Sequence, residues 1–154
     1  MIARVLRFIR LPILMLLLYT IGRFSLGAAN VPYAPRGNAI FSVLGIAVIS
    51  GAYFGALSKK IGGFTWGGTL LVGYSIGLTA QILIFTATLL SFALGIETSY
   101  FRHWDSMNVP QGTVVSMGQA MTTRAVGLVV GPLLPTIASA IGRALAGLAP
   151  DKTV

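Results

Sequence analysis

The 154-residue chain has no cysteine, one histidine and three acidic residues. Without cysteine there are no disulfides, no thiolate nucleophile, no cysteine-held iron–sulfur cluster and no cysteine-rich zinc site. Only 9% of the residues are charged, against about a quarter in a soluble domain. That is too little charge to cover a water-facing surface. Disorder is disfavoured as well, because 55% of the residues are hydrophobic and a disordered chain needs the opposite balance. An integral membrane protein remains.

The charges that are present punctuate the chain. Uncharged runs separate Arg10 from Arg23, Arg36 from Lys59, Lys60 from Glu97 and Arg124 from Arg143. A spanning helix takes roughly 20 mainly apolar residues at about 1.5 Å rise each. These intervals predict an all-α polytopic fold: one domain over 1–154, a small bundle of four transmembrane helices. The expected spans are about 5–28, 39–57, 69–96 and 125–148. Residues 97–124 are expected outside the lipid, with a short interfacial helix before the last span, around Thr113–Thr123, where Val114, Met117 and Met121 recur at helical spacing. Asn30–Asn38, with two prolines and a glycine, reads as a turn. Pro132 and Pro135 predict a kink or a re-entrant break in the fourth segment. Residues 1–29 also fit a cleavable signal peptide, with a basic start, an apolar run Leu11–Ile21 and small residues Gly27-Ala28-Ala29. We read them as a retained first helix.

Basic residues set the orientation. With four spans and the N-terminus inside, Arg4, Arg7, Arg10, Lys59, Lys60, Arg143 and Lys152 lie inside, and Arg23, Arg36, Arg102 and Arg124 outside. That is the positive-inside bias. It points to a bacterial inner (cytoplasmic) membrane with both termini on the cytoplasmic side. The net charge of +8 thus describes insertion and lipid contact, and nucleic acid is not an expected partner. The expected partners are the lipid bilayer, and other membrane subunits or further copies of this chain.

Several residues stand out as candidates. Gly51 and Gly55, Gly73 and Gly77, and Gly127 and Gly131 each have the four-residue spacing that lets helix backbones approach closely. Packing within one chain is the simpler use of that spacing, and an oligomer contact the other. Gly73-Tyr74-Ser75-Ile76-Gly77 matches the string of a serine-hydrolase nucleophile elbow. That motif requires a strand–turn–helix setting, whereas this one lies inside a long apolar helix. Gln81 is the most polar side chain at membrane depth, suited to a cross-helix hydrogen bond or to a solute path. Arg23 is the one charge placed inside a span, with Glu97 a possible counter-charge. Trp66 and Trp104 suit the interface. His103, beside Trp104 and Asp105, is a candidate axial ligand of haem or chlorophyll, against the simpler reading of an interfacial loop with its charges facing water. Asp105 is expected to raise the His103 pKa. No specific cofactor, metal site or catalytic residue is indicated, and no nucleotide or metal motif occurs.

Two functions follow as expectations. The first is a non-catalytic subunit of a larger membrane complex, for instance a bioenergetic one, acting by helix packing and scaffolding. The second is a homo-oligomeric channel or carrier for a small neutral or anionic solute, suggested by the Ser, Thr and Gln residues of the third span. The absence of catalytic motifs weakens the case for an enzyme.

Overall fold

The computed structural model describes residues 1–33 and 41–148. The start of the second expected span at 39, Arg36 and Lys152 lie outside the described residues. The described part is helical: α1 (Ile2–Phe8), α2 (Arg10–Ala28), α3 (Val43–Lys60), α4 (Trp66–Ala93), α5 (Met117–Val130) and α6 (Leu133–Ala146). A short 3-10 turn, Trp104–Met107, lies between α4 and α5. Three stretches are long and apolar enough to cross a membrane: α2, α4, and the run Met117–Ala146 made by α5 and α6 together. α3 carries Lys59 and Lys60 in its last turn and is not one of the three.

Local chemistry explains where each helix starts and stops. The first segment is not one continuous helix from Val5. It begins at Ile2 and breaks at Ile9 (φ −96°, ψ 19°), because Pro12 has no N–H to return to the carbonyl of Phe8. Ser42 caps α3 by accepting from the Gly45 N–H at 3.1 Å, and Thr65 caps α4 by accepting from the Gly68 N–H at 3.4 Å. This cap starts α4 at Trp66, three residues before the expected 69. α4 also ends early, at Ala93 rather than 96. Gly95 takes a positive φ of 65°, its N–H bonds to the Phe92 carbonyl, and the Ile96 N–H bonds to that of Ser91. That is a Schellman stop.

The expected short interfacial helix does not form as a separate element. Ser116 and Gln119 make a reciprocal capping box, and the helix it starts runs past Arg124 to Val130. The break comes at Gly131–Pro132, within the segment where a kink or a re-entrant break is expected. Pro132 and Pro135 leave the carbonyls of Leu128 and Gly131 without their usual donors.

The helices alternate in direction. Arg4 on α1 donates to the Gly62 carbonyl after α3, and Arg143 near the end of α6 donates to the Phe64 and Thr65 carbonyls before α4. At the opposite end Thr98 and Tyr100, after α4, donate to the carbonyls of Gly27, in the last turn of α2, and Pro32, after it. Both the start of α1 and the end of α6 therefore lie at one end of the bundle. The core holds Ile9, Leu16, Val72, Ile76, Ile84 and Phe101. Leu14 and Leu18 of α2, and Leu133, Ile137, Ile141 and Leu145 of α6, point outward.

Candidate functional site

The first constellation is a seam where α6 lies between α3 and α4. A Cβ on Gly51 would come within 2.6 Å of the Pro135 carbonyl oxygen, one on Gly55 within 2.6 Å of the Ser139 Cα, and one on Gly77 within 2.6 Å of the Pro132 Cα. A Cβ on Gly73 would come within 2.7 Å of Thr136 and Ser139, and one on Gly142 of α6 would meet the Ala52 backbone. The two glycine pairs on α3 and α4 thus address the same stretch at the start of α6, residues 132–139. Polar groups complete the seam. The buried hydroxyls of Ser58 and Thr69 are 2.6 Å apart, and Ser139 donates to the Thr69 carbonyl at 2.8 Å. Arg143 donates to Thr69 Oγ1 and, at 2.8 Å each, to the carbonyls of Phe64 and Thr65. Its guanidinium lies 4.7 Å from the centre of the Trp66 ring. Trp66 opens α4 and is 53% exposed. A cavity of about 310 Å³ beside it is lined by Lys59, Lys60, Trp66 and Arg143, among others.

The third glycine pair serves Gln81. This side chain is buried on α4 and sits in a notch on α5. A Cβ on Gly127 would be 2.9 Å from its Oε1, and one on Gly131 would collide with its Nε2. Gln81 makes no side-chain hydrogen bond among the described residues. Glycine Cα atoms offer no acceptor, and the Gly131 N–H is already bonded to the Gly127 carbonyl at 2.8 Å. The notch is therefore steric.

The second constellation is at the other end of the bundle. Arg23 of α2 donates to Tyr33 Oη at 3.2 Å, and its guanidinium lies 5.4 to 5.6 Å from the ring centres of Tyr33, Tyr100 and Phe101. That range suits cation–π attraction. The alternative pairing with Glu97 is not made, and among the described residues no ion pair forms at Arg23. Arg124 of α5 reaches across to α4 and the following loop, donating to Thr88 Oγ1 at 3.2 Å, the Phe101 carbonyl at 3.3 Å and Ser106 Oγ at 3.4 Å. Arg23 is close enough for its charge to act on Arg124. His103 stacks on Tyr33 with ring centres 3.8 Å apart, and Trp104 leans against it at 5.0 Å.

The His103 pKa is lowered, against the expected rise. Burial comes first, since it disfavours the charged ring; Asp105 pulls the value back up and Arg23 pushes it down. The Asp105 N–H donates to His103 Nδ1 at 3.3 Å, so only Nε2 remains for an axial bond to a haem or chlorophyll. Among the described residues no group of three or more His, Cys, Asp or Glu is placed to hold a metal ion.

Sequence reasoning singled out Arg23, His103, Trp104 and the glycines. It missed Arg124, Tyr33 and Tyr100 as their neighbours, and Ser58, Thr69, Ser139 and Arg143 as the seam's polar groups. Arg124 carried one usable signal, as the single charge at the head of the last apolar run. Comparison of the chain with protein-family models, with curated proteins and with solved structures gives no match.

Proposed function

We propose that this chain is a non-catalytic integral membrane subunit that works by helix packing and scaffolding within a larger complex. In this reading it crosses a bacterial inner membrane four times, with α1–α2, α3, α4 and α5–α6 as the spans and both termini on the cytoplasmic side. The alternating helix directions support that arrangement. So does the gathering of Arg4, Lys59 and Arg143 at the end where α1 starts and α6 finishes.

One observation carries the choice over a carrier. Four polar residues of α4 that would line a solute path, Thr69, Thr79, Thr88 and Ser91, hold internal hydrogen bonds. Thr79, Thr88 and Ser91 return their hydroxyls to the carbonyls of Ser75, Ile84 and Ala87 at 2.7 to 2.8 Å. Thr69 is engaged with Ser58 and Arg143. A path needs side chains free to exchange bonds with a passing solute, whereas these stabilise the bundle. Meanwhile apolar faces of α2 and α6 are left outward for lipid or for neighbouring helices.

The test is purification of the tagged chain from its native membrane in a mild detergent. Fixed-ratio recovery of foreign polypeptides supports the subunit reading, and a symmetric homo-oligomer free of other chains supports the carrier. A visible absorption spectrum of the same preparation reports any haem or chlorophyll brought along.

A further inference from the structure

Arg23 and Arg124 come from different helices and converge on Phe101: Arg124 donates to its carbonyl at 3.3 Å and the Arg23 guanidinium lies 5.6 Å from its ring centre. Bringing two guanidiniums together in a half-buried site is unfavourable unless something negative offsets it. The acidic residues of the chain are Glu97, Asp105 and Asp151. Among the described residues no carboxylate pairs with either arginine. The groups facing the arginines are neutral: the phenol of Tyr33, the hydroxyls of Thr88 and Ser106, the Phe101 carbonyl, and the rings of Tyr100 and Phe101. Asp105 acts on His103.

Donors are also left over. Arg23 uses one nitrogen, Nη2, in its bond to Tyr33, and Arg124 uses Nε and Nη2. The Nη1 edges of both arginines, and Nε of Arg23, bond to no protein acceptor among the described residues. They are not sealed in, because no fully buried side-chain nitrogen or oxygen among those residues lacks a partner. Accessible guanidinium edges of this kind match the paired oxygens of a phosphate. Their depth fits too. Arg23 lies five residues before the end of α2 and Arg124 eight residues into α5, one to two turns inside the helix ends.

We propose that Arg23 and Arg124 together bind a phosphate group, with Tyr33 holding Arg23 in position and Thr88 and Ser106 holding Arg124. The ligand is either the phosphodiester of an anionic lipid headgroup or a free phosphate. The inference is independent of the subunit reading, since it concerns these two side chains and what lies between them.

The test uses the full chain in a nonionic detergent at constant ionic strength. Its melting temperature is followed while dihexanoyl phosphatidylglycerol or inorganic phosphate is added. A saturable rise with the lipid alone identifies a headgroup site, and a saturable rise with both identifies a site for phosphate itself. Arg23→Gln should weaken the effect by about tenfold or more, the scale of one lost charge-assisted contact. Arg124→Lys should weaken it less, because a charge remains while the planar fork is lost. Arg102→Gln removes a charge that lies over Phe92 and should leave it unchanged. Should Arg124→Lys fail to fold, Arg23→Gln decides alone, because it gives up one hydrogen bond to a phenol and cation–π contacts to three rings, and no ion pair among the described residues. The proposal is overturned if neither probe gives a saturable rise, or if Arg23→Gln responds as the parent does.

Discussion

The hydroxyl of Ser139 on α6 donates to the carbonyl oxygen of Thr69 on α4 at 2.8 Å, joining residues 70 positions apart. The bond is possible because Gly55 and Gly73 flank Ser139 without side chains of their own. In a bilayer no hydrophobic drive pulls helices together, so close van der Waals contact and such bonds must do so.

Gly55→Leu should therefore destabilise the bundle. A side chain there meets the Ser139 backbone, and overpacking of this kind costs about 1–3 kcal/mol. Gly67→Ala is the control, with nothing within 4 Å of the added carbon, and should shift stability by no more than about 0.5 kcal/mol. Thermal melting in detergent distinguishes them. Equal melting temperatures would remove the seam from the account.

The Gln81 notch makes a separate prediction. Gly131→Ala places a methyl group against the Gln81 amide and should cost about 1–3 kcal/mol. Adding Gln81→Ala should recover part of that loss, because the clashing amide is gone. A double-mutant cycle measures the coupling, expected to be at least about 0.5 kcal/mol for groups in contact. Simple additivity would mean that the notch does not hold the amide.

Much of this was legible from residue types and spacing. The apolar intervals located three long helices, Pro132 located the break between α5 and α6, and each glycine pair faces a close neighbour. What was not legible depended on partners far along the chain. Nothing local to Arg124 announces Thr88, 36 positions away. Arg23 looked for a carboxylate because charge is the readable signal, whereas its neighbours are aromatic rings gathered by folding. The helix boundaries slipped where caps overrode hydropathy, as with Ser116 and Gln119, whose capping box draws Met117–Thr123 into α5.

Arg143 should behave as the clasp between α6 and the start of α4. Its Nη1 bonds to Phe64, Thr65 and Thr69, and hydrogen bonds to a charged group contribute about 1.5–3 kcal/mol. Arg143→Gln should lower stability by an amount in that range, while Arg10→Gln, at an exposed position, should have little effect. A chemical-denaturation series in mixed micelles measures both. Indistinguishable curves for the two variants would contradict the role given to Arg143.

His103 should make stability pH-dependent in a defined direction. Its folded pKa lies below the ordinary 6.5 because of burial, with Asp105 opposing and Arg23 adding to the shift. The unfolded chain then takes up the proton first. Its contribution is intact above pH 6.5 and is lost as pH falls through the lowered folded value. The groups around it are Tyr33, Trp104, Asp105 and Arg23. Between pH 7 and pH 5 the parent should lose more melting temperature than His103→Gln. Parallel profiles would show that the ring does not titrate differently on folding.

The most direct measurement of the central claim is the native mass of the assembly released from its own membrane by mild detergent. The account predicts a particle holding this chain with at least one foreign polypeptide in fixed ratio, reproducible across preparations. A particle whose mass is an integral multiple of this chain alone, with bound lipid as its sole addition, would contradict it.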